Sequence, residues 1–350
     1  MRRIFVPAIG QYDNIGDIIL RRPLLNVLRP LGELHVYLGA YPAGYRAALR
    51  LEPGDVVYRS FASWYRALLA AAIRGEADYI FKPGEIQLTL RGMREHVGML
   101  PALIAVRARR GAVLRIGAGA RNRAAVARAM MRPSLALTHA SVWRDAGTAD
   151  YLGGDWMPDL GFAEGNAPSE GQPRPLMLVS MRGDLPMPGA AWIDAVCYYA
   201  RAHDLLLHVV TQVARDDDRT RALAAALGAA SLPWDGIDHL DQEEALRGLY
   251  RRAAVVASDR LHVLIAAATE GATVVAPLVS GRDKIDRHFG AAGFTAVSIV
   301  TDALSSDEIA DAINTVVTDQ ANAPEALATA RASIAAVNGR IANLISGTTP

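Results

Sequence analysis

The stretch VVASDRLHVLIAAATEGATVVAP, Val255 to Pro277, decides the fold. VVAS is small and β-branched, the composition of a strand buried in a parallel sheet. LHVLIAAATEG has helix formers, an apolar face and a terminal Gly271 suited to the position just past a helix end. TVVAP returns to strand, so the stretch predicts strand, helix and strand of an α/β sheet. Ser258 or Asp259 is the expected N-cap, which puts Arg260 and His262 in the first helical turn at the carboxyl end of a strand. A helix start attracts anions, because its N–H groups are unpaired and its dipole is positive there. A cation at that place is unfavourable unless an anion shares it. Arg260 suits a phosphate or carboxylate, whose geometry matches its planar fork, and His262 could give or take a proton near neutral pH. Folding alone supplies a second reading, in which Arg260 pairs with Asp259 or a nearby acid and His262 packs against the sheet.

Outward from this stretch the alternation continues in both directions. Before it, residues 3–9, ELHVYLG, ADYIF, VLRIGAG and LALTHAS read as strands. GDIILRRPLLNVL, residues 43–51, REHVGMLPALIAVRARRG, NRAAVARAMM and GTADYLGG read as helices between them. AEGNAPSEGQPRP, residues 163–175, has no hydrophobic period and reads as a linker. The alternation then restarts with LMLVSM and runs to FTAVSIV, ending in helix. The fold expected is α/β: two Rossmann-like domains with parallel sheets facing a cleft, over residues 1–165 and 166–320, with 321–350 a C-terminal helix and tail. Such a cleft is a usual place for a small-molecule site.

The 350 residues suffice for two cores, and 51% hydrophobic with 21% charged residues suits a soluble globular chain. With 37 basic against 36 acidic residues, global charge predicts no partner. Lysine occurs only at positions 82 and 284. The single Cys197 excludes a disulfide framework or cysteine-rich metal site and fits a reducing cytoplasm, and it reads as a small buried hydrophobe. The N-terminal apolar run is too short for a signal sequence and no stretch is built to span a membrane.

Five blocks, in order, resemble the polysaccharide pyruvyl transferase family. NIGD (Asn14, Ile15, Gly16, Asp17) matches its N-terminal signature. SVWRDAGTADYLGGDWMPDLGF resembles its central pattern at Arg144, Asp145, Pro158 and Asp159. LVSMR places Arg182 after the first strand of the second half. SDRLHVLIAAATEGATVVAP matches its S-x-R-x-H block, and DKIDRHFGAAGF places Lys284 like the family's lysine. The resemblance covers about residues 5 to 295 and implies a GT-B-like fold. One departure is FKPGEIQL, which keeps a single glycine where the family often has a run, and this bears on the acceptor.

The resemblance implies transfer of the enolpyruvyl group of phosphoenolpyruvate onto a sugar as a cyclic ketal, with no redox cofactor and no metal. It implies His262 as the acid–base residue, Arg182, Arg260, Lys284 and Ser258 around the donor, and Asn14, Gly16 and Asp17 on the acceptor side. The acceptor would be a polysaccharide, glycolipid or lipid-linked glycan of the cell envelope, met in the cytoplasm or at the inner face of the membrane. Two other readings stay open: a glycosyltransferase of the same architecture using a nucleotide sugar, and a non-catalytic member of the fold.

The other marked residues have ordinary readings. Asp17 suits an N-cap, Asn14 a turn, Asp145 a cap, Arg144 a structural ion pair and Asp159 the domain end. TQVARDDD, Thr211 to Asp218, follows a strand and could line the cleft, a solvated charged loop being its ordinary reading. Between Arg91 and Arg132 stand ten arginines and one acid, Glu95. They read as solvated helix faces balanced by acids elsewhere, or as a surface for anionic lipid headgroups or a lipid-linked diphosphate acceptor. Nucleic acid is disfavoured, because no recognition motif or aromatic platform accompanies the charge.

Overall fold

The computed structural model describes residues 2–166, 171–278, 284–295 and 297–347. The chain packs as two compact units. One comprises Met1–Tyr12, Leu20–Leu160 and Ala332–Pro350; the other comprises Asp13–Ile19 and Gly161–Arg331.

The first unit carries β1 (Arg3–Pro7), most of α1 (Ile15–Leu28), β2 (Glu33–Tyr37), α2 (Ala43–Ala48), β3 (Val56–Tyr58) and α3 (Phe61–Arg74). It continues with β4 (Ala77–Phe81), β5 (Gly84–Ile86), α4 (Met93–Gly98), α5 (Leu100–Ala108), β6 (Val113–Ala120) and α6 (Ala125–Ala136). β7 (Ala140–Trp143), α7 (Ala146–Leu152) and β8 (Asp155–Trp156) complete it. The described strands form one parallel sheet, ordered β3-β2-β1-β4-β6-β7-β8, with β5 also on β6. The core follows from sequence period. β4 is buried along its whole length, and α3 turns Trp64, Leu68, Ala71 and Ala72 inward at helical spacing onto Tyr79 and Phe81.

The second unit carries β9 (Leu176–Ser180), α8 (Ala190–Ala202), β10 (Leu206–Val210), α9 (Asp217–Leu227), β11 (Ala230–Leu232) and α10 (His239–Arg252). Then come β12 (Ala253–Ser258), α11 (Leu261–Thr269), β13 (Thr273–Leu278), α12 (Lys284–Ala291), β14 (Ser298–Val300) and α13 (Ser306–Asp319). The last helix, α14 (Ala323–Ser346), starts in this unit and ends in the first. The described strands make a parallel sheet ordered β11-β10-β9-β12-β13-β14. The chain steps outward from β9 to β11, then returns to β12 on the other side of β9. That reversal is the switch point where open α/β sheets bind ligands, at the carboxyl ends of the strands.

The α/β class and the two parallel sheets are as the sequence predicts; several boundaries differ. LALTHAS is not one strand, since Leu135 and Ala136 finish α6 and β7 begins at Ala140. The helix expected from Arg94 to Gly111 is split at Met99, because Pro101 has no N–H to offer the carbonyl four residues back. β3, β5 and β11 have three residues each, too few to show a period.

The passage between units also differs from a single cut after residue 165. The chain changes unit between Tyr12 and Asp13, Ile19 and Leu20, Leu160 and Gly161, and Arg331 and Ala332. Much of the expected linker is bound to the second unit. Arg331 donates to the carbonyls of Phe162 (3.3 Å), Glu164 (2.8 Å) and Gly165 (3.0 Å), and Arg174 to those of Ala253 and Glu270, both at 2.9 Å. Gly165 has φ +78° and lies against Thr269, where a Cβ would meet the threonine Oγ1 at 2.6 Å. Residues 167–170 of that stretch lie outside the described residues. Beside it Arg247 bonds three carboxylates, Glu164 at 2.7 Å, Glu243 at 2.8 Å and Glu270 at 2.7 Å.

In the first unit Asp145 caps α7 through the N–H of Thr148 (2.9 Å), and Arg144 pairs with the fully buried Asp159 at 3.1 Å. Those are the structural roles their residue types suggest. No described helix is long and apolar enough to cross a membrane.

Candidate active site

Because β10, β9, β12 and β13 are adjacent and parallel, the segments that follow them share one edge of the second sheet. Those after β10, β9 and β12 supply Thr211–Asp216, Arg182 and Asp259–His262 respectively. β12 and β9 are in register up to Ser258 and Ser180, and the Ser258 hydroxyl donates to the Ser180 carbonyl at 2.5 Å. The same oxygen accepts the Arg260 N–H at 3.0 Å. Ser258 is fully buried with its hydroxyl hydrogen spent on the backbone, and it shapes the turn that carries Arg260.

The helix start is one residue later than expected. Arg260 is itself the N-cap of α11, extended at φ −99° and ψ 111°, and its side chain makes no cap bond. His262 is the second residue of the helix. Asp259 does not cap; its carboxylate accepts the backbone N–H of Arg182 at 2.9 Å. Burial raises the Asp259 carboxyl to about 6, against the lowering effect of the Arg182 N–H and the two guanidinium groups.

Arg260 is tied by its fork. Its Nε and Nη2 donate to Asp216 at 2.8 and 2.7 Å, and Asp216 also accepts the Gly183 N–H at 2.8 Å. Asp216 is buried, as are Thr211 and Gln212, so this stretch is not a wholly solvated loop, although Arg215 and Asp218 are exposed. The pairing of Arg260 with an acid, one of the two readings open from sequence, is what the structure contains, and the acid is Asp216. Among the described residues Nη1 of Arg260 has no hydrogen-bond partner. Arg182 makes a comparable fork to Asp184, at 2.8 and 2.6 Å, but Asp184 is 56% exposed. The Arg182 hydrogen bond holds the Asp184 carboxyl down at about 2.

The NIGD residues belong to this unit, although they lie in the N-terminal part of the chain. Asn14 forms an antiparallel bridge to Val213, Ile15 donates to the Gln212 carbonyl at 3.2 Å, and Ala214 donates to the Asp13 carbonyl at 2.8 Å. Arg215 clamps the Asp13 carboxylate with two bonds of 2.9 Å. Asn14, not Asp17, is the N-cap of α1: its Oδ1 accepts the N–H of Gly16 at 2.9 Å. Asp17 stands in the first turn, where its charge suits the helix dipole. Gly16 is buried against His262. A Cβ there would lie 2.6 Å from the His262 Cβ, so only glycine allows this approach.

The structure thus brings Asn14, Gly16, Arg182, Ser258, Arg260 and His262 into one linked set, through Asp216, Asp259 and the strand-like segment Gln212–Ala214. Lys284 is the first described residue after β13 and opens α12, half-buried. Asp216 and Asp259 are the site residues that the sequence reading did not assign. Asp216 had one signal, an acid run directly after a strand end.

The fold is shared with solved enzymes of very low sequence similarity. A UDP-GlcNAc 2-epimerase from Neisseria meningitidis, bound to UDP-GlcNAc, aligns over 99% of this chain and 100% of its own with TM-score 0.59 and 9% identity. MurG from Acinetobacter baumannii aligns over 99% and 100% with TM-score 0.53 and 12% identity. These likenesses establish a GT-B-like fold of two Rossmann-like domains. No curated protein matches the sequence. The polysaccharide pyruvyl transferase family model matches residues 14–276, from Asn14 in the α1 cap to Ala276 in β13, stopping short of Lys284. With that match over most of its length, the chain belongs to the polysaccharide pyruvyl transferase family.

Proposed function

We propose that this transferase uses phosphoenolpyruvate as donor and builds a cyclic pyruvate ketal across two hydroxyls of a saccharide, in a polysaccharide, glycolipid or lipid-linked glycan. The observation that carries the reading is His262 held against Gly16 at the switch point, beside the Arg260–Asp216–Asp259–Arg182 network. The donor brings a phosphate and a carboxylate on one carbon. Arg182 meets it by exchanging the exposed Asp184, since an exposed ion pair is worth only about 0–1 kcal/mol. Arg260 meets it with Nη1, its other edge being fixed by Asp216. Lys284 adds a third cation from α12.

His262 gives a proton to the methylene carbon while a sugar oxygen bonds to the adjacent carbon, and that hydroxyl's proton returns to the imidazole. The second hydroxyl then bonds to the same carbon as the bond between that carbon and the phosphate oxygen breaks, and the hydroxyl proton passes to the departing phosphate. Phosphate leaves, and the ketal closes. Asn14 and Gly16 set the position of this histidine, and Asp17 is assigned to the acceptor side. No cofactor or metal is invoked.

Calorimetry with phosphoenolpyruvate, on the wild type and on Arg260→Ala, tests the donor assignment. Binding by the wild type and its loss in the variant are expected. His262→Gln should retain binding and lose about 10² to 10⁴ in turnover. Binding of a nucleotide sugar in place of phosphoenolpyruvate would sink this reading in favour of glycosyl transfer.

A further inference from the structure

Ten arginines between Arg91 and Arg132 could be neutralised by acids from elsewhere in the fold, and the structure decides whether they are. Arg115 is fully buried, its guanidinium 3.5 Å from the centre of the Phe81 ring. Arg121 pairs with Glu85 at 3.2 Å, Arg107 contacts His139, and Arg123 and Arg128 lie over the Tyr151 ring. Glu95, the one acid of the stretch, is taken by Lys82 at 2.8 Å. Among the described residues Arg91, Arg94, Arg109, Arg110 and Arg132 have no carboxylate partner, and all five are exposed.

The helices bearing these residues form one layer of the first unit: α3 packs on α5, α5 on α4 and α6, and α4 on α6. Their outer surface is not only basic. Leu90, before α4, is 65% exposed, Ile104 on α5 is 55%, Val126 on α6 is 66% and Ile73 on α3 is 63%. Pro101, Ile104 and Ala108 fall on one exposed stripe of α5, and Val126, Ala129 and Pro133 on one of α6. Large aliphatic side chains exposed among unpaired arginines are the composition of an element lying in a membrane interface, with the aliphatic groups in the acyl boundary and the guanidiniums at the phosphates. Nucleic acid would use the charge and leave the aliphatic groups in water. A second copy of this chain would oppose like charge with like.

We propose that the outer face of α3, α4, α5 and α6 docks on a bilayer surface of anionic phospholipid. This inference is independent of the donor and the chemistry above. The exposed arginines supply the attraction, at about fivefold in partition per residue near the surface. The aliphatic groups add a component that salt does not screen.

Flotation of the full chain with vesicles of phosphatidylcholine, or of phosphatidylcholine and phosphatidylglycerol in equal parts, tests the proposal. Binding to the anionic vesicles alone, weakened but not abolished by salt, is expected. Arg94→Ala with Arg132→Ala should weaken it about 25-fold, and Ile104→Ser with Val126→Ser about tenfold, all four sites being surface positions whose change leaves the thermal midpoint unmoved. No flotation with anionic vesicles at low salt overturns the proposal, as does equal binding to both vesicle types. Flotation untouched by either pair of substitutions places the contact elsewhere and overturns it too. Binding of a DNA duplex that is tighter than vesicle binding and indifferent to Ile104→Ser and Val126→Ser would mark the face as a nucleic-acid surface.

Discussion

At Gly16 the requirement is for room and not for an unusual backbone angle. The methyl group of an alanine would fall 2.6 Å from the His262 Cβ, which is fixed to the helix backbone, and 3.0 Å from the Asn14 Oδ1, which the Gly16 N–H holds in place. Gly16→Ala is expected to displace the imidazole, lowering turnover by about 10² or more while costing about 1–3 kcal/mol of stability. Steady-state kinetics beside urea unfolding separate the two effects, and unchanged turnover would remove the link between this glycine and the histidine. At Asp216 the requirement is for charge. Asp216→Asn keeps the shape but removes the carboxylate that fixes Arg260, so KM for phosphoenolpyruvate should rise severalfold with kcat changed less. A fall in kcat alone would place Asp216 with the reacting groups instead. Arg260, His262 and Gly16 were legible because they fall in two compact blocks. Asp216 was not, since it meets Arg260 across 44 positions of chain and only the crossing from β10 to β12 places them side by side.

Among the elements, α10 and α11 show how a helix can be tied by charge as well as by its apolar face. Arg247 on α10 is mostly buried and serves Glu164, Glu243 and Glu270, the last two almost fully buried. Arg247→Leu removes the cation shared by those carboxylates and leaves Arg251, at 3.3 Å from Glu270, to answer that acid alone. A loss of about 3–5 kcal/mol is expected in denaturant unfolding, because an uncompensated buried charge costs more than the intact pair contributes. The helix pattern of α10 and its internal pair of Glu243 with Arg247 could be read from QEEALRGLYRRA, but not Glu270 at the end of α11 or Glu164 in the stretch read as linker. At the other end of the chain, α1 is capped by Asn14 where its sequence suggested Asp17. The two candidates are three residues apart and share the same preference, so only the bond from Gly16 to Oδ1 distinguishes them.

Over the whole molecule the near-zero net charge conceals opposite pH responses in the two units. In the first, burial and the neighbouring Arg115 and Lys82 push His96 down to about 3. The unfolded histidine binds its proton at 6.5, so between these values the unfolded chain holds more protons and stability falls as pH falls, by up to about 1.4 kcal/mol per pH unit. In the second unit, burial raises Asp259 from 3.8 to about 6. Here the folded chain binds the proton first, so this contribution is full below 3.8 and is lost as pH rises through about 6. Hydrogen exchange followed from pH 7 to pH 4 should therefore show peptides around α4 and β6 losing protection before those around β9 and β12. The reverse order would mean that neither buried group governs acid sensitivity.

The sequence by itself determined the α/β class, the two parallel sheets, the βαβ unit around His262 and the family. These depend on periodicity and on short blocks, both of which are local in the chain. Tertiary structure alone decided that NIGD belongs to the second unit, that Arg260 is held by Asp216, that the Ser258 hydroxyl is spent on the Ser180 carbonyl and that, among the described residues, the arginines of α4 to α6 have few acids to answer them. Each of these is a pairing between residues far apart in sequence. Such pairings depend on which strand ends become neighbours and which side chains fill the space between them, and no local pattern carries that information.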